Sequence, residues 1–236
     1  MNIKLFLICL TMLSVYNTDA QQSNKWKHLF NGKNLEGWSV IGGAGKVEVE
    51  DGAIVLRQTA NTKEHTFVHT KKKYKDFILE VDCRRDPRFF YGILFRAQKA
   101  PDTAHVRLYG YQSKVDHKKD RSWTGGIFDD FGNIWNWMYT PDTDERAKKT
   151  LKPAGEWDHY RIEAIGNTIK VWLNDIPISH IQNTKYKKGY IAFKIHFLGN
   201  NKEQEKQRAW IKNVRIVTSH LSKYAKVMDL PVRIVD

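Results

Sequence analysis

The stretch KPAGEWDHYRIEAIGNTIKVWLNDIPISHI, residues 152–181, decides the fold class. Tyr160, Ile162 and Ala164 alternate with His159, Arg161 and Glu163, and beyond Gly166-Asn167 the apolar Ile169, Val171 and Leu173 alternate again. A repeat of two puts every second side chain on one face, so both runs read as strands with one face in a core. Gly166-Asn167 supplies the positive φ of a tight antiparallel turn, and Asn174-Asp175 turns the chain once more toward Ile176–Ile181.

The same grammar extends in both directions. Val47–Arg57 reads as a hairpin about Asp51-Gly52, followed by a short run at Thr66–His69. Tyr74–Arg84 alternates Phe77, Leu79 and Val81 with polar neighbours, and Phe89–Ala97 sets Tyr91, Ile93 and Phe95 against Gly92, Leu94 and Arg96. His105–Tyr109 and Tyr111–Asp116 set Val106, Leu108, Ser113 and Val115 against His105, Arg107, Gln112, Lys114 and Asp116. Thr124–Asp129 and Ile134–Tyr139 follow, with Trp135 and Trp137 on one face and a loop at Asp129–Asn133 between them. From Gly189 to Phe197, Ile191, Phe193 and Ile195 oppose Lys194 and His196, and Ala209–Val217 is the last strand. About a dozen strands with regular turn signals and no long helix predict a sandwich of two antiparallel sheets. No linker or repeat divides residues 24–218, and residues 219–236 form a tail that docks a short helix through Leu221, Tyr224 and Met228.

Residues 1–20 carry Lys4, an apolar run from Leu5 to Val15 and the small-residue end Thr18-Asp19-Ala20, the pattern of a cleavable export signal. The run is too short to span a bilayer, so an exported protein, periplasmic or extracellular and without a membrane span, is expected. Cys9 lies inside that signal, which leaves Cys83 as the only cysteine, so an ordinary core rather than a disulfide must hold the fold. With 41% hydrophobic and 12% aromatic residues the chain has one to build; most of its eight Trp fill it, and the rest can stack on sugars. The net charge of +13 gathers at Lys71–Lys73, Lys118-Lys119, Lys148-Lys149 and Lys187-Lys188, beside strand ends, where it solvates loops and protects edges. No recognition helix or RNA-binding signature accompanies it, so nucleic acid is not an expected partner.

The opening stretch also resembles a known family. KPAGEW(D)xY followed by GNxIxVWLN is similar to the secreted bacterial 3-keto-disaccharide hydrolases, also described as 3-keto-glucoside 1,2-lyases and 3-keto-2-hydroxy-glucal hydratases. The likeness recurs at Leu29–Trp38, at Gly189–Ala192 and at Ile211–Ile216, and so spans nearly the whole chain after the signal. It implies a concanavalin A-like jelly roll. It also implies that Arg96, Gln112 and His196, at the ends of GILFR, GYQ and IAFKIH, belong to the site. Phe90-Tyr91 stands where the family has Asn-Ser, Lys114 where an acidic or amide residue is usual, and Lys194 where Gln is usual.

The side of the predicted sheet bearing Arg96, Arg107, His105, Gln112, Lys114, Asp116, Lys194 and His196 is the candidate site, with Trp123 and Asp129 beside it; a solvated outer face is the plain alternative. The resemblance implies a glycoside whose 3-hydroxyl is already a ketone. Removing the acidified C2 proton gives an enolate, and the C1 substituent then leaves. On this reading His196 transfers the proton, Arg96 and Lys194 stabilise the oxyanion, and Gln112, Lys114, Asp116, Arg107, His105, Trp123 and Asp129 bind the sugar. His105, Asp116 and His196 are also ligand types for a divalent metal, which is left open with no site assigned. A non-catalytic module that binds a glycan in the same groove is the alternative. A Ser-based triad finds no GxSxG elbow, and nothing fixes the separation of Asp116 and Asp129 for a two-carboxylate glycosidase.

Overall fold

The computed structural model describes residues 26–101, 107–116, 123–131, 136–142 and 144–235. Residues 1–20, expected to be an export signal, and His105 and Trp135 lie outside the described residues. In chain order the strands are β1 (Lys27–His28), β2 (Trp38–Gly42), β3 (Lys46–Glu50), β4 (Ala53–Arg57), β5 (Thr66–Thr70), β6 (Phe77–Arg85), β7 (Tyr91–Lys99) and β8 (Leu108–Val115). They continue as β9 (Ile127–Asp129), β10 (Asn136–Tyr139), β11 (Trp157–Ile165), β12 (Thr168–Leu173), β13 (Ile176–Gln182), β14 (Tyr190–Ile195), β15 (Arg208–Val217) and β16 (Arg233–Ile234).

Two sheets face each other, one ordered β16-β13-β12-β11-β6-β15-β4-β3 with β1 on β15, the other β10-β9-β8-β7-β14-β5-β2. All pairs are antiparallel except β13 with β16, which is the predicted two-sheet jelly-roll sandwich. The deciding stretch forms β11, β12 and β13, with Tyr160 opposite Leu173 and Ile162 opposite Val171. Gly166 takes φ +56° at its first turn, and Asn174 and Asp175 take +49° and +65° at its second. The inner faces meet in one core, where Tyr160, Ile162, Ile169 and Val171 join Tyr91, Ile93, Phe95 and Phe193.

The expected pair about residue 110 is one continuous strand, β8. Gly110 takes φ +145° against the bulge of β7, and a Cβ there would lie 3.0 Å from the Cα of Ala97. A short helix, α1 (Glu145–Thr150), is capped by the Asp144 side chain accepting from the Arg146 N–H. The tail holds a 3-10 turn at Leu221–Lys223 and then lies as a strap on the outer face of the larger sheet. There the Tyr224 carbonyl accepts from Arg161, and the Lys226 N–H donates to Glu163.

Arg96 does not share a face with Lys194 and His196, contrary to the alternation. The register of β7 on β8 slips between Phe95 and Gln98, and Arg96 takes φ +48° at that bulge. An inserted residue turns its side chain away from the position that strict alternation assigns. The guanidinium is 1% exposed. It donates to the carbonyls of Lys75, Ala164, Gly166 and Tyr186 and to the Asp76 carboxylate, so it ties β7 to the end of β11 and to the turn of the deciding hairpin.

Candidate functional site

The outward face of the seven-stranded sheet gathers polar side chains from β8, β9 and β14. Lys194 on β14 pairs with Gly92 on β7, and Gly92 with Lys114 on β8, so the two lysines flank a residue without a side chain. One row over, Gln112 on β8 pairs with Phe128 on β9. A Cβ at Gly92 would fall 2.1 Å from the Gln112 carboxamide, so any larger residue there has to displace that side chain.

Lys114 is fully buried, with its Nζ 4.7 Å from the Phe90 ring centroid and 3.5 Å from His196 Nε2. Lys194, 3% exposed, donates to both carboxylate oxygens of Asp130 at 2.9 and 2.7 Å. Arg107 donates to the Asp130 carbonyl at 2.9 Å. His196 is 8% exposed, with its ring 4.6 Å from Phe90 and 5.0 Å edge-on to His65. The Phe197 N–H donates to His65 Nδ1 at 3.2 Å, which leaves the proton of a neutral His65 ring on Nε2.

Burial and the crowd of cations fix the protonation states. Desolvation, reinforced by Lys114, Lys194 and His65, holds His196 well below the usual histidine range. Desolvation, with Lys194, Arg107 and Lys114, brings His65 down to about 2. Burial also lowers Lys194, and the Asp130 carboxylate opposes that shift. Both imidazoles are therefore neutral near pH 7.

An unfolded histidine with pKa near 6.5 binds a proton that these folded ones refuse, so their contribution is intact above about pH 6.5 and is lost as pH falls below it. Going from pH 7 to pH 5 is expected to cost about 1–2 kcal/mol for each of the two. Urea unfolding at the two pH values checks this, with His65→Gln reducing the loss. Stability that rises on acidification would show that the histidines are not held neutral.

Of the residues predicted for the site, the structure brings together Lys194, His196, Lys114 and Arg107. Gln112 adjoins them, and both its buried carboxamide atoms lack a hydrogen-bond partner among the described residues. Trp123 sits at the edge, its ring 5.2 Å from Trp137, which lies 5.3 Å from Phe128. Arg96 is excluded by its bulge.

Asp129 is also misplaced. It sits on the core-side row of β9 with Ile127, its carboxylate accepting from the Tyr186 hydroxyl at 2.8 Å and from Lys185. The groove carboxylate is its neighbour Asp130. Asp116 follows β8 with its backbone N–H and carbonyl both bound to the Thr124 hydroxyl. His105 lies outside the described residues. Among those residues no three His, Cys, Asp or Glu side chains converge to hold a metal ion.

Sequence reasoning missed Asp130, His65 and Phe90. Asp130 follows from the pairing of Phe128 with Gln112, which puts even-numbered residues of β9 on the groove side. His65 immediately precedes β5, whose Thr66 pairs with Ile195, so it arrives beside His196. No periodic signal marks Phe90, which precedes β7.

The family model of the 3-keto-alpha-glucoside-1,2-lyase-like domain matches residues 25–217. No curated protein matches the chain in sequence. Among solved structures it is similar to a Parabacteroides distasonis protein provisionally described as a glycosyl hydrolase, with TM-score 0.61 and 20% identity over 85% of this chain and 97% of that one. It is also similar to the carbohydrate-binding module CBM66 of Bacillus subtilis, with TM-score 0.53 and 18% identity over 75% and 93%. A Bacillus subtilis protein of unknown function with a galectin-like fold gives TM-score 0.56 and 12% identity over 82% and 94%. At these identities the likeness is one of fold.

Proposed function

Because the chain belongs to the 3-keto-alpha-glucoside-1,2-lyase-like family, we propose that it is an exported carbohydrate-active enzyme cleaving a glycosidic bond beside a 3-keto sugar. The observation that carries the reading is a neutral His196 whose Nε2 lies 3.5 Å from the Lys114 ammonium, with the Lys194–Asp130 pair on the same face. A C3 ketone acidifies the C2 hydrogen. His196 Nε2 takes that proton, and the ketone oxygen becomes an enolate held by Lys114, which exchanges its imidazole contact for the oxygen. The electron pair returns to expel the C1 oxygen, which takes the proton from the His196 imidazolium and leaves as the alcohol, and water then adds across the C1–C2 double bond. Lys194, paired with Asp130, stands beside the reacting oxygen, and the unpartnered Gln112 carboxamide orients a sugar hydroxyl.

Purified protein mixed with a 3-keto-disaccharide in heavy water tests this. Deuterium is expected at C2 along with release of the free sugar, and the unoxidised disaccharide should give neither. Absence of both exchange and cleavage with every oxidised sugar tried, with and without added divalent metal, rules the reading out.

A second reading is a glycan-binding module without turnover in the same groove. The fold shared with CBM66 is compatible with it. Binding of an intact glycan without turnover of any 3-keto sugar distinguishes it.

A further inference from the structure

The larger sheet carries, on its face away from the interior, a row that the groove chemistry does not use. Trp157 on β11 pairs in register with Arg84 on β6, and Arg84 with Trp210 on β15. The Arg84 guanidinium carbon lies 4.9 Å from the Trp157 ring centroid and 4.3 Å from that of Trp210. Arg208 sits 4.5 Å over Trp210, and Lys212 Nζ 4.0 Å over Trp157.

The other arginines of this face are neutralised within the fold: Arg161 by Glu80 and Glu163, Arg215 by Glu80, and Arg57 by Glu48 and Glu50. The row is different. Arg84 makes no ion pair among the described residues, and its Nε is buried with no hydrogen-bond partner. Lys212 lies in register beside Asp82 without an ion pair to it, and Arg208 reaches only Asp86, at 3.6 Å. With no carboxylate among the described residues paired to Arg84, the row keeps positive charge that an anion from outside can meet.

We propose that this row binds the anionic groups of an acidic polysaccharide, at a site separate from the groove. A guanidinium clamped between two indoles has already lost its rotamer freedom, and its planar fork fits a carboxylate or sulfate in two-point fashion. The indole edges give a sugar ring apolar contact. The row crosses three strands, about 10 Å, which accommodates more than one acidic group. A polyphosphate suits the face less well, because Glu80, Asp82 and Asp86 interrupt the positive charge and would repel a continuous run of phosphates. The reading stands apart from the proposed groove chemistry, so either can fail alone.

Affinity electrophoresis of the whole protein in gels containing polygalacturonate, chondroitin sulfate, neutral dextran or duplex DNA tests the site. Retardation by polygalacturonate or chondroitin sulfate, and not by dextran, is expected, with the two gels separating carboxylate from sulfate recognition. Arg84→Gln and Lys212→Gln should each weaken it about tenfold, Arg84→Lys less than Arg84→Gln, and added salt should weaken it progressively. Lys223→Gln, an exposed lysine of the tail, and His196→Ala in the groove should leave it unchanged. Lys212 is only partly buried, so its variant keeps the test alive if Arg84→Gln fails to fold. The proposal is overturned if neither acidic polysaccharide binds, if DNA binds in preference, or if Lys223→Gln weakens binding as much as Lys212→Gln. A lower melting temperature with unchanged binding would make the row a structural clamp only.

Discussion

Arg96→Ala is expected to lower the stability of the fold by about 3–5 kcal/mol, and Arg96→Lys to recover little of it. The guanidinium has five N–H donors, and all five are used: Nε to the Lys75 carbonyl at 2.8 Å, one terminal nitrogen to Gly166 and Tyr186, the other to Asp76 and Ala164. Removing it leaves four backbone carbonyls and a carboxylate short of a donor, and the two buried ones, at Tyr186 and Ala164, each cost about 1–3 kcal/mol. Lysine offers three donors from a single point and cannot span them. Asp76 also accepts from the Gly166 N–H at 3.0 Å, so the turn between β11 and β12 should loosen with the loss. Denaturant midpoints measure the effect. If Arg96→Ala folded with unchanged stability and lost turnover, the residue would return to the site that its sequence position suggested.

The Arg96 result marks where the sequence stops being legible. Alternation finds a residue's face only while the ladder is regular. Along β14 and the second half of β8 it is, so Lys194, His196, Gln112 and Lys114 fall where period two puts them. A β-bulge resets the count by one, and nothing in GILFR announces it; in this chain Arg96 makes a tie between the sheets. The three-residue β9 is too short to set its own phase, so Asp129 and Asp130 become distinguishable only once Phe128 is known to pair with Gln112. His65 and Phe90 lie outside strands, where no period applies, and reach His196 through the pairing of β5 with β14 and the approach to β7. The hairpins were the most legible elements, because Asp51-Gly52, Gly166 and Asn174-Asp175 encode their own backbone geometry and need no tertiary context.

If the groove is catalytic, His196→Ala is expected to lower the rate of C2 exchange by about 10² to 10⁴, the usual worth of a positioned general base. The pH dependence provides a sharper test than the size of the loss. An exposed histidine base would give a rate that falls on the acid side of about pH 6.5. His196 is held well below that by burial and by Lys114 and Lys194, so between pH 8 and pH 6 the rate should be flat on that account. A base held so low is a weak one, and the arrangement compensates on the product side, where an ammonium 3.5 Å away meets the charge that forms on the enolate oxygen. Lys114→Met, which keeps the stem against Phe90 and removes the charge, should then depress exchange and shift His196 upward only in part, because desolvation, the larger cause, still holds it low. A wild-type profile with an inflection near pH 6.5, unchanged in Lys114→Met, would mean that the titrating base is not His196. Full activity in His196→Ala would move the proton transfer elsewhere, with His65, 5.0 Å away across the ring contact, the nearest imidazole to take it.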